Sequence, residues 1–171
     1  MSRGETMKRN VLIEGVILTL AYLAQIGVTI YLYQSAPLAW LQNVGFGVMM
    51  LSALFGWWPI PVMRRWGGVE EGKGYIHTRK LVDRGPYAIV RHPQYLAGIL
   101  MTIGLSLMAQ HWLAVALGLI AAWATWYGLR AEETDCLRKF DSAYTTYAGR
   151  VPQLNFLTGL ARWLGRRRDT N

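Results

Sequence analysis

Long apolar runs separated by short polar connections dominate the chain. Val11 to Tyr33 is 23 residues with one charge, Glu14, near its start. At about 1.5 Å rise per residue such a helix crosses the ~30 Å hydrocarbon layer of a bilayer. Leu38 to Met63 has no ionisable side chain and ends in Trp57, Trp58, Pro59 and Pro61, the pattern of an interfacial aromatic belt followed by helix-stopping prolines. Between Tyr95 and Leu129 the titratable groups are His111 and tyrosines, and a break at Gln110-His111-Trp112 leaves arms of 16 and 17 residues, 95–110 and 113–129. Each arm sits at the lower edge of spanning length, so a soluble hairpin of core helices competes with a pair of spans. The two clear spans upstream favour the membrane. The pattern predicts an all-α integral membrane helical bundle with about four transmembrane helices, 11–33, 38–63, 95–110 and 113–129. Residues 64–94 and 130–171 supply amphipathic polar segments, all within a single domain, 1–171.

Composition sharpens this picture. Of 171 residues 53% are hydrophobic and 16% charged, against roughly 25% charged in an ordinary soluble domain. The 18 Lys+Arg exceed the 10 Asp+Glu, for a net charge of +8. That balance alone admits a nucleic-acid binder, but the cations are confined to three blocks. Arg3, Lys8 and Arg9 form the first, the segment from Arg64 to Arg91 the second, and the stretch from Arg130 onward the third. The connections around Gln34 to Pro37 and Gln110 to Trp112 hold no Lys or Arg. Under the positive-inside tendency both termini are cytoplasmic (N-in/C-in), and the charge is a topology signal rather than a nucleic-acid footprint. The N-terminal run is longer than a signal-peptide core of about 7 to 15 residues, so it is read as an anchor. A single cysteine, Cys136, allows no intrachain disulfide. Three scattered histidines (His77, His92, His111) and that cysteine make no metal-spaced cluster, so no metal is expected.

The candidate chemistry falls in two polar segments assigned to one membrane face. Pro93 disfavours helical geometry at His92 and suits the first turn of the following helix, so His92 stands where a helix cap would. Helix N–H groups and the positive dipole end there attract carboxylates or phosphates, with Arg91 beside them. Lipid-phosphate anchoring is the competing reading of these two residues. Gly98, Gly104 and Gly118 permit close helix packing or leave room for a flat ligand. In the second segment, Arg130, Glu133, Leu137, Phe140, Tyr144 and Tyr147 recur at intervals of three or four and so share one helical face, which is expected to pack inward. Arg130 and Glu133 form a charged pair at its membrane-proximal end, while Glu132 projects about 100° away. In the tail, Leu157, Leu160, Trp163 and Leu164 alternate with Arg162 and Arg166 to Arg168, the make-up of an interfacial amphipathic helix.

Taken in order, Gly85-Pro86-Tyr87, Arg91-His92-Pro93-x-Tyr95-x-x-Gly98, Arg130-x-Glu132-Glu133, Phe140, Tyr144, Tyr147 and Arg150-Val151-Pro152 resemble the isoprenylcysteine carboxyl methyltransferase family. The related phospholipid methyltransferases share part of the pattern, and the resemblance covers Leu81 to Pro152. Two positions depart from it: Cys136 stands where the family often has Leu, with Leu137 expected to supply the packing, and Asp141 stands where it often has Gly. The chain has no G-x-G-x-x-G after a strand, as a soluble dinucleotide-type fold would require.

The resemblance implies an S-adenosylmethionine-dependent methyltransferase with its active site on the cytoplasmic side. The acceptor would be lipid-like or prenylated, entering from the bilayer, with carboxylate O-methylation favoured over N- or S-methylation. It implies Tyr87, Arg91, His92, Tyr95, Gly98, Glu132 and Glu133 as cofactor-binding residues, and Arg130 and Glu133 as catalytic ones. Arg130 would orient an acceptor carboxylate and Arg91 the cofactor's own, because guanidinium holds carboxylates bidentately. A carboxylate acceptor needs no general base; for an amine or thiol, Glu133 or His92 would take the proton. Membrane lipids are the other expected partners. Two further readings are a non-catalytic membrane protein that binds anionic lipid or a partner through its basic face, and a membrane reductase using NADPH.

Overall fold

The computed structural model describes residues 3–69 and 78–168, with side chains from residue 15 onward. The side chains of Arg3, Lys8, Arg9 and Glu14, and residues Lys73 and His77, lie outside the described residues. The described residues form α1 (Arg3–Leu32), α2 (Ala39–Trp57), α3 (Pro59–Trp66), α4 (Pro93–Ala109), α5 (Trp112–Arg150) and α6 (Phe156–Arg168), with no strand among them. Three stretches are long and apolar enough to cross a membrane: Gly15–Ser35, Ala39–Trp66 and Trp112–Arg150. α4, with 17 residues, is shorter. α5 has 39 residues, about twice what the hydrocarbon layer needs, and turns polar at Arg130.

α2 ends at Trp57, ahead of the prolines as the sequence suggested, but a new helix follows at once. Trp58 keeps helical backbone angles, and Pro59 opens α3 at a first-turn position, where a missing N–H costs no helical bond. A second difference concerns α5. Asp141 adopts φ 44° and ψ −121°, breaking the helix between its aromatic positions. Leu137 is exposed, whereas Cys136 packs on the core of Tyr144, Tyr147 and Val151, beside Phe140 and Leu81. At about 100° per residue the inward stripe through Leu129, Glu133 and Phe140 centres on the side of residue 136, which rotates Leu137 out of it.

The chain divides into two compact units. The first comprises Met1–Ser52 and Gly98–Ala131. Its polarity is inverted relative to a water-soluble domain: Leu20, Leu23, Ile30 and Tyr31 are exposed, whereas Gln25, Thr29, Thr102 and Thr125 are buried. Exposed apolar side chains suit lipid, and inward polar groups join helices where no water competes. The Gln25 amide reaches the Thr102 carbonyl (3.0 Å), the Ser106 hydroxyl (3.1 Å) and the Ala114 carbonyl (3.0 Å), tying α1 to α4 and α5. Tyr22 and Thr125 hydroxyls meet at 3.2 Å. The small-residue positions serve close packing: a Cβ at Gly45 would stand 2.8 Å from the Gly104 carbonyl oxygen, and one at Gly98 would stand 2.6 Å from the Tyr22 hydroxyl. At the ends of these helices, Gln110 receives the Leu38 N–H (3.1 Å) and donates to its carbonyl (2.8 Å).

The second unit comprises Ala53–Ala97 and Glu132–Asn171. Gly85, at φ +59°, turns the chain beside Val62 and starts a 3-10 turn through Ala88 that buries Pro86 and Tyr87. The Tyr147 hydroxyl donates to the Tyr87 carbonyl at 2.7 Å, pinning that turn to α5. α6 docks through Gly159, where any Cβ would overlap the Ile89 carbonyl oxygen.

Candidate functional site

His92, buried just before α4, is the centre of a polar network in the second unit. Two backbone bonds hold the segment leading to it: Arg91 N–H to the Pro152 carbonyl (3.0 Å) and His92 N–H to the Gln153 carbonyl (3.3 Å). The Arg91-His92-Pro93 and Arg150-Val151-Pro152 motifs are thus the two sides of one short backbone pairing.

The carboxylate of Glu133 gathers three donors. Arg91 Nη1 lies 2.7 Å from Oε1, His92 Nε2 lies 2.7 Å from Oε2, and Gln153 Nε2 donates to Oε2 at 3.0 Å. The side chains of Arg91 and Glu133 are 13% and 19% exposed, so water competes weakly for these contacts. The Tyr144 hydroxyl is 3.2 Å from the same His92 nitrogen, and Arg91 lies over the Tyr144 ring. Tyr95 stands edge-on to the imidazole, with ring centroids 5.8 Å apart.

Glu132 faces the other nitrogen, with Oε1 3.7 Å from His92 Nδ1, and is 45% exposed. Burial pushes its carboxyl up, but hydrogen bonds from His92 and Tyr95 and the charge of His92 outweigh that and hold it below the ordinary range. Burial, reinforced by Glu132 and Glu133, pushes the Cys136 thiol up to about 11. Burial also drives the Tyr144 and Tyr147 hydroxyls well above the usual phenol range, aided by Glu133 for the first and by Tyr144 and Tyr87 for the second. At neutral pH these three groups are therefore protonated.

A cavity of about 250 Å³ opens on this network, and Tyr87, Arg91, His92, Tyr95 and Glu132 are on its wall. Asp135, Cys136 and Phe140 continue the wall along α5, and Lys80 and Lys139 add cations. Lys139 also donates to the Thr78 carbonyl, fixing the loop edge. Glu133 is not among the lining residues; it holds Arg91 and His92, which are. Gly98 and Arg130 belong to the first unit, where Gly98 packs against Tyr22 and the exposed Arg130 guanidinium lies 4.2 Å from the Trp126 ring centroid. The cavity combines carboxylates, cations and aromatic faces, a donor set suited to a small polar ligand with ammonium, hydroxyl, carboxylate and flat-ring parts.

A family profile described as phospholipid methyltransferase matches residues 40–142, more than half of the chain. The chain belongs to the phospholipid methyltransferase family. The Protein-S-isoprenylcysteine O-methyltransferase B of Arabidopsis thaliana is 25% identical to it over 122 residues, 66% of this chain and 58% of the plant protein. The chain thus spans under two thirds of that relative's length. No solved structure matches. The family match extends the likeness upstream of Leu81 into α2, where the sequence offered hydrophobicity alone.

In this methyltransferase-family chain several cavity and network residues carry little signal in the sequence. Gln153 follows Val151-Pro152 directly, and its position in that motif is the one clue that it reaches the His92 segment. Asp135, Lys80 and Lys139 look like solvated charges in sequence, and only the fold brings them to one cavity.

Proposed function

We propose that the chain is an S-adenosylmethionine-dependent integral membrane methyltransferase acting on a lipid-like or prenylated acceptor. The observation that carries this reading is the convergence of Glu132, His92, Tyr95 and Arg91 on one cavity in a chain of this family. The donor set fits the cofactor. Glu132 and Asp135 suit its ammonium or ribose hydroxyls, Lys80, Lys139 and Arg91 its carboxylate, and Tyr87, Phe140 and Tyr147 its flat adenine. When bound, S-adenosylmethionine supplies a methyl group on a sulfonium, open to in-line displacement.

The chain's own task is then to bind, orient and balance charge. Glu132 provides a carboxylate that stays ionised well below neutral pH, suited to a cationic ligand. Glu133, occupied by Arg91, His92 and Gln153, fixes the orientation of the imidazole and guanidinium rather than receiving the ligand itself. Arg130 presents an exposed cation over Trp126 that would pair bidentately with an acceptor carboxylate. O-methylation of a carboxylate needs no proton acceptor, and this reading is favoured. The cytoplasmic side is assigned to the site from the clustering of Lys and Arg in the segments that build it.

The test is calorimetric titration of the detergent-purified chain with S-adenosylhomocysteine. One-to-one binding is expected, weakened about tenfold, or ~1.4 kcal/mol, in Glu132→Gln. A folded sample that takes up no ligand overturns the proposal.

A further inference from the structure

One face of α6 exposes a row of leucines, Leu157, Leu160 and Leu164. Phe156, Gly159, Trp163 and Arg166 form the docked side: Gly159 sits on the Ile89 carbonyl, and Arg166 donates to the carbonyls of Arg150 (3.1 Å) and Ala88 (3.0 Å). Leu157, Leu160 and Leu164 form a second stripe, 66%, 39% and 47% exposed. With about 100° between residues, Arg168 flanks this stripe on one side and Arg167, its guanidinium 4.3 Å from the Trp163 ring centroid, borders it on the other, whereas Arg162 points nearly opposite to it. α6 contains four arginines and no acidic residue.

Its place in the second unit identifies the surface that the stripe meets. Phe156, the first residue of α6, packs on buried Phe55 with ring centroids 5.8 Å apart. Phe55 lies two residues before Trp57 and Trp58, where the long apolar stretch of α2 passes into the Arg64-Arg65 segment, the level of lipid headgroups. A helix starting there, with leucines outward and arginines beside them, has the chemistry to lie on anionic lipid.

We propose that α6 is an interfacial helix whose Leu157-Leu160-Leu164 stripe is immersed in the headgroup region of anionic lipid, with Arg167 and Arg168 on the phosphates. Its other face clamps Ala88 and Ile89, just before Val90-Arg91-His92. The lipid surface therefore braces the backbone that carries the cavity wall. This goes beyond the methyl-transfer reading and stands independently of it.

The full chain in nanodiscs, with Cys136→Ser as background, takes nitroxide labels at Leu160→Cys, Leu164→Cys or Arg162→Cys. In discs containing phosphatidylglycerol, labels at 160 and 164 are expected to meet oxygen severalfold more readily than a water-soluble nickel chelate, with the opposite order at 162. Adding Arg167→Glu and Arg168→Glu should shift the first two labels toward the nickel chelate. Equal nickel access at all three positions overturns the proposal, as does insensitivity to the two charge reversals. Dipolar broadening between labels on two copies also overturns it, because the stripe would then be a contact between chains.

Discussion

At the scale of single residues, Cys136 reports on the cavity most directly. Its thiol is on the wall, and burial with two neighbouring glutamates raises it from 9.0 to about 11. The thiolate is the reactive form, so at pH 8 alkylation by iodoacetamide should run about a hundredfold slower than for a thiol at 9.0. The rate should rise about tenfold per pH unit until the pH approaches 11, and S-adenosylhomocysteine should slow it further. Mass spectrometry of the alkylated peptide reads all three effects; rapid labelling at pH 8, unchanged by ligand, would contradict the geometry. The same position shows where sequence reasoning reached its limit. Helical spacing put Arg130, Glu133, Leu137, Phe140, Tyr144 and Tyr147 on one face; Glu133, Phe140, Tyr144 and Tyr147 turn inward, whereas Arg130 and Leu137 are exposed, and residues 136 and 137 lie on either side of the stripe. Only the packing direction decides between them. Gln153 was illegible for a different reason: an amide twenty positions from Glu133 has no periodic relation to it, and a turn after α5 brings the two together.

At the scale of elements, the break in α5 carries a cost that the sequence makes visible once the backbone is known. Asp141 holds φ 44° and ψ −121°, a positive-φ conformation that costs a non-glycine residue on the order of 1 to 3 kcal/mol and that glycine enters freely. Glycine removes that cost, so Asp141→Gly should stabilise the folded chain by about 1 kcal/mol. A thermal melt followed by circular dichroism should move up by about 2 to 4 °C; a lower midpoint would mean that the aspartate makes a compensating contact. The prolines near Trp58 teach the complementary lesson. Their residue type restricts φ and removes a donor, but whether that ends a helix or starts one depends on which turn they occupy, and Pro59 occupies the first. Existence and type of the long elements were legible because apolar runs of about twenty residues have few alternatives.

At the scale of the molecule, charge placement is the feature most open to test. If the cations face the cytoplasm, a membrane-impermeant maleimide applied to intact cells should label Ser35→Cys and His111→Cys but not Thr158→Cys, each in a Cys136→Ser background. Labelling of Thr158→Cys from outside would reverse the assigned topology. The total of hydrophobic and charged residues announced a membrane protein, whereas its division into two compact units depends on contacts that composition does not encode. The reciprocal bonds between Gln110 and Leu38 add a constraint of another kind. A side-chain amide there acts as a neighbouring strand would, pairing with both backbone polar groups of one residue. A residue inserted beside either partner would carry donor and acceptor out of register together. These two short connections should therefore tolerate substitution at their exposed side chains far better than any change in length.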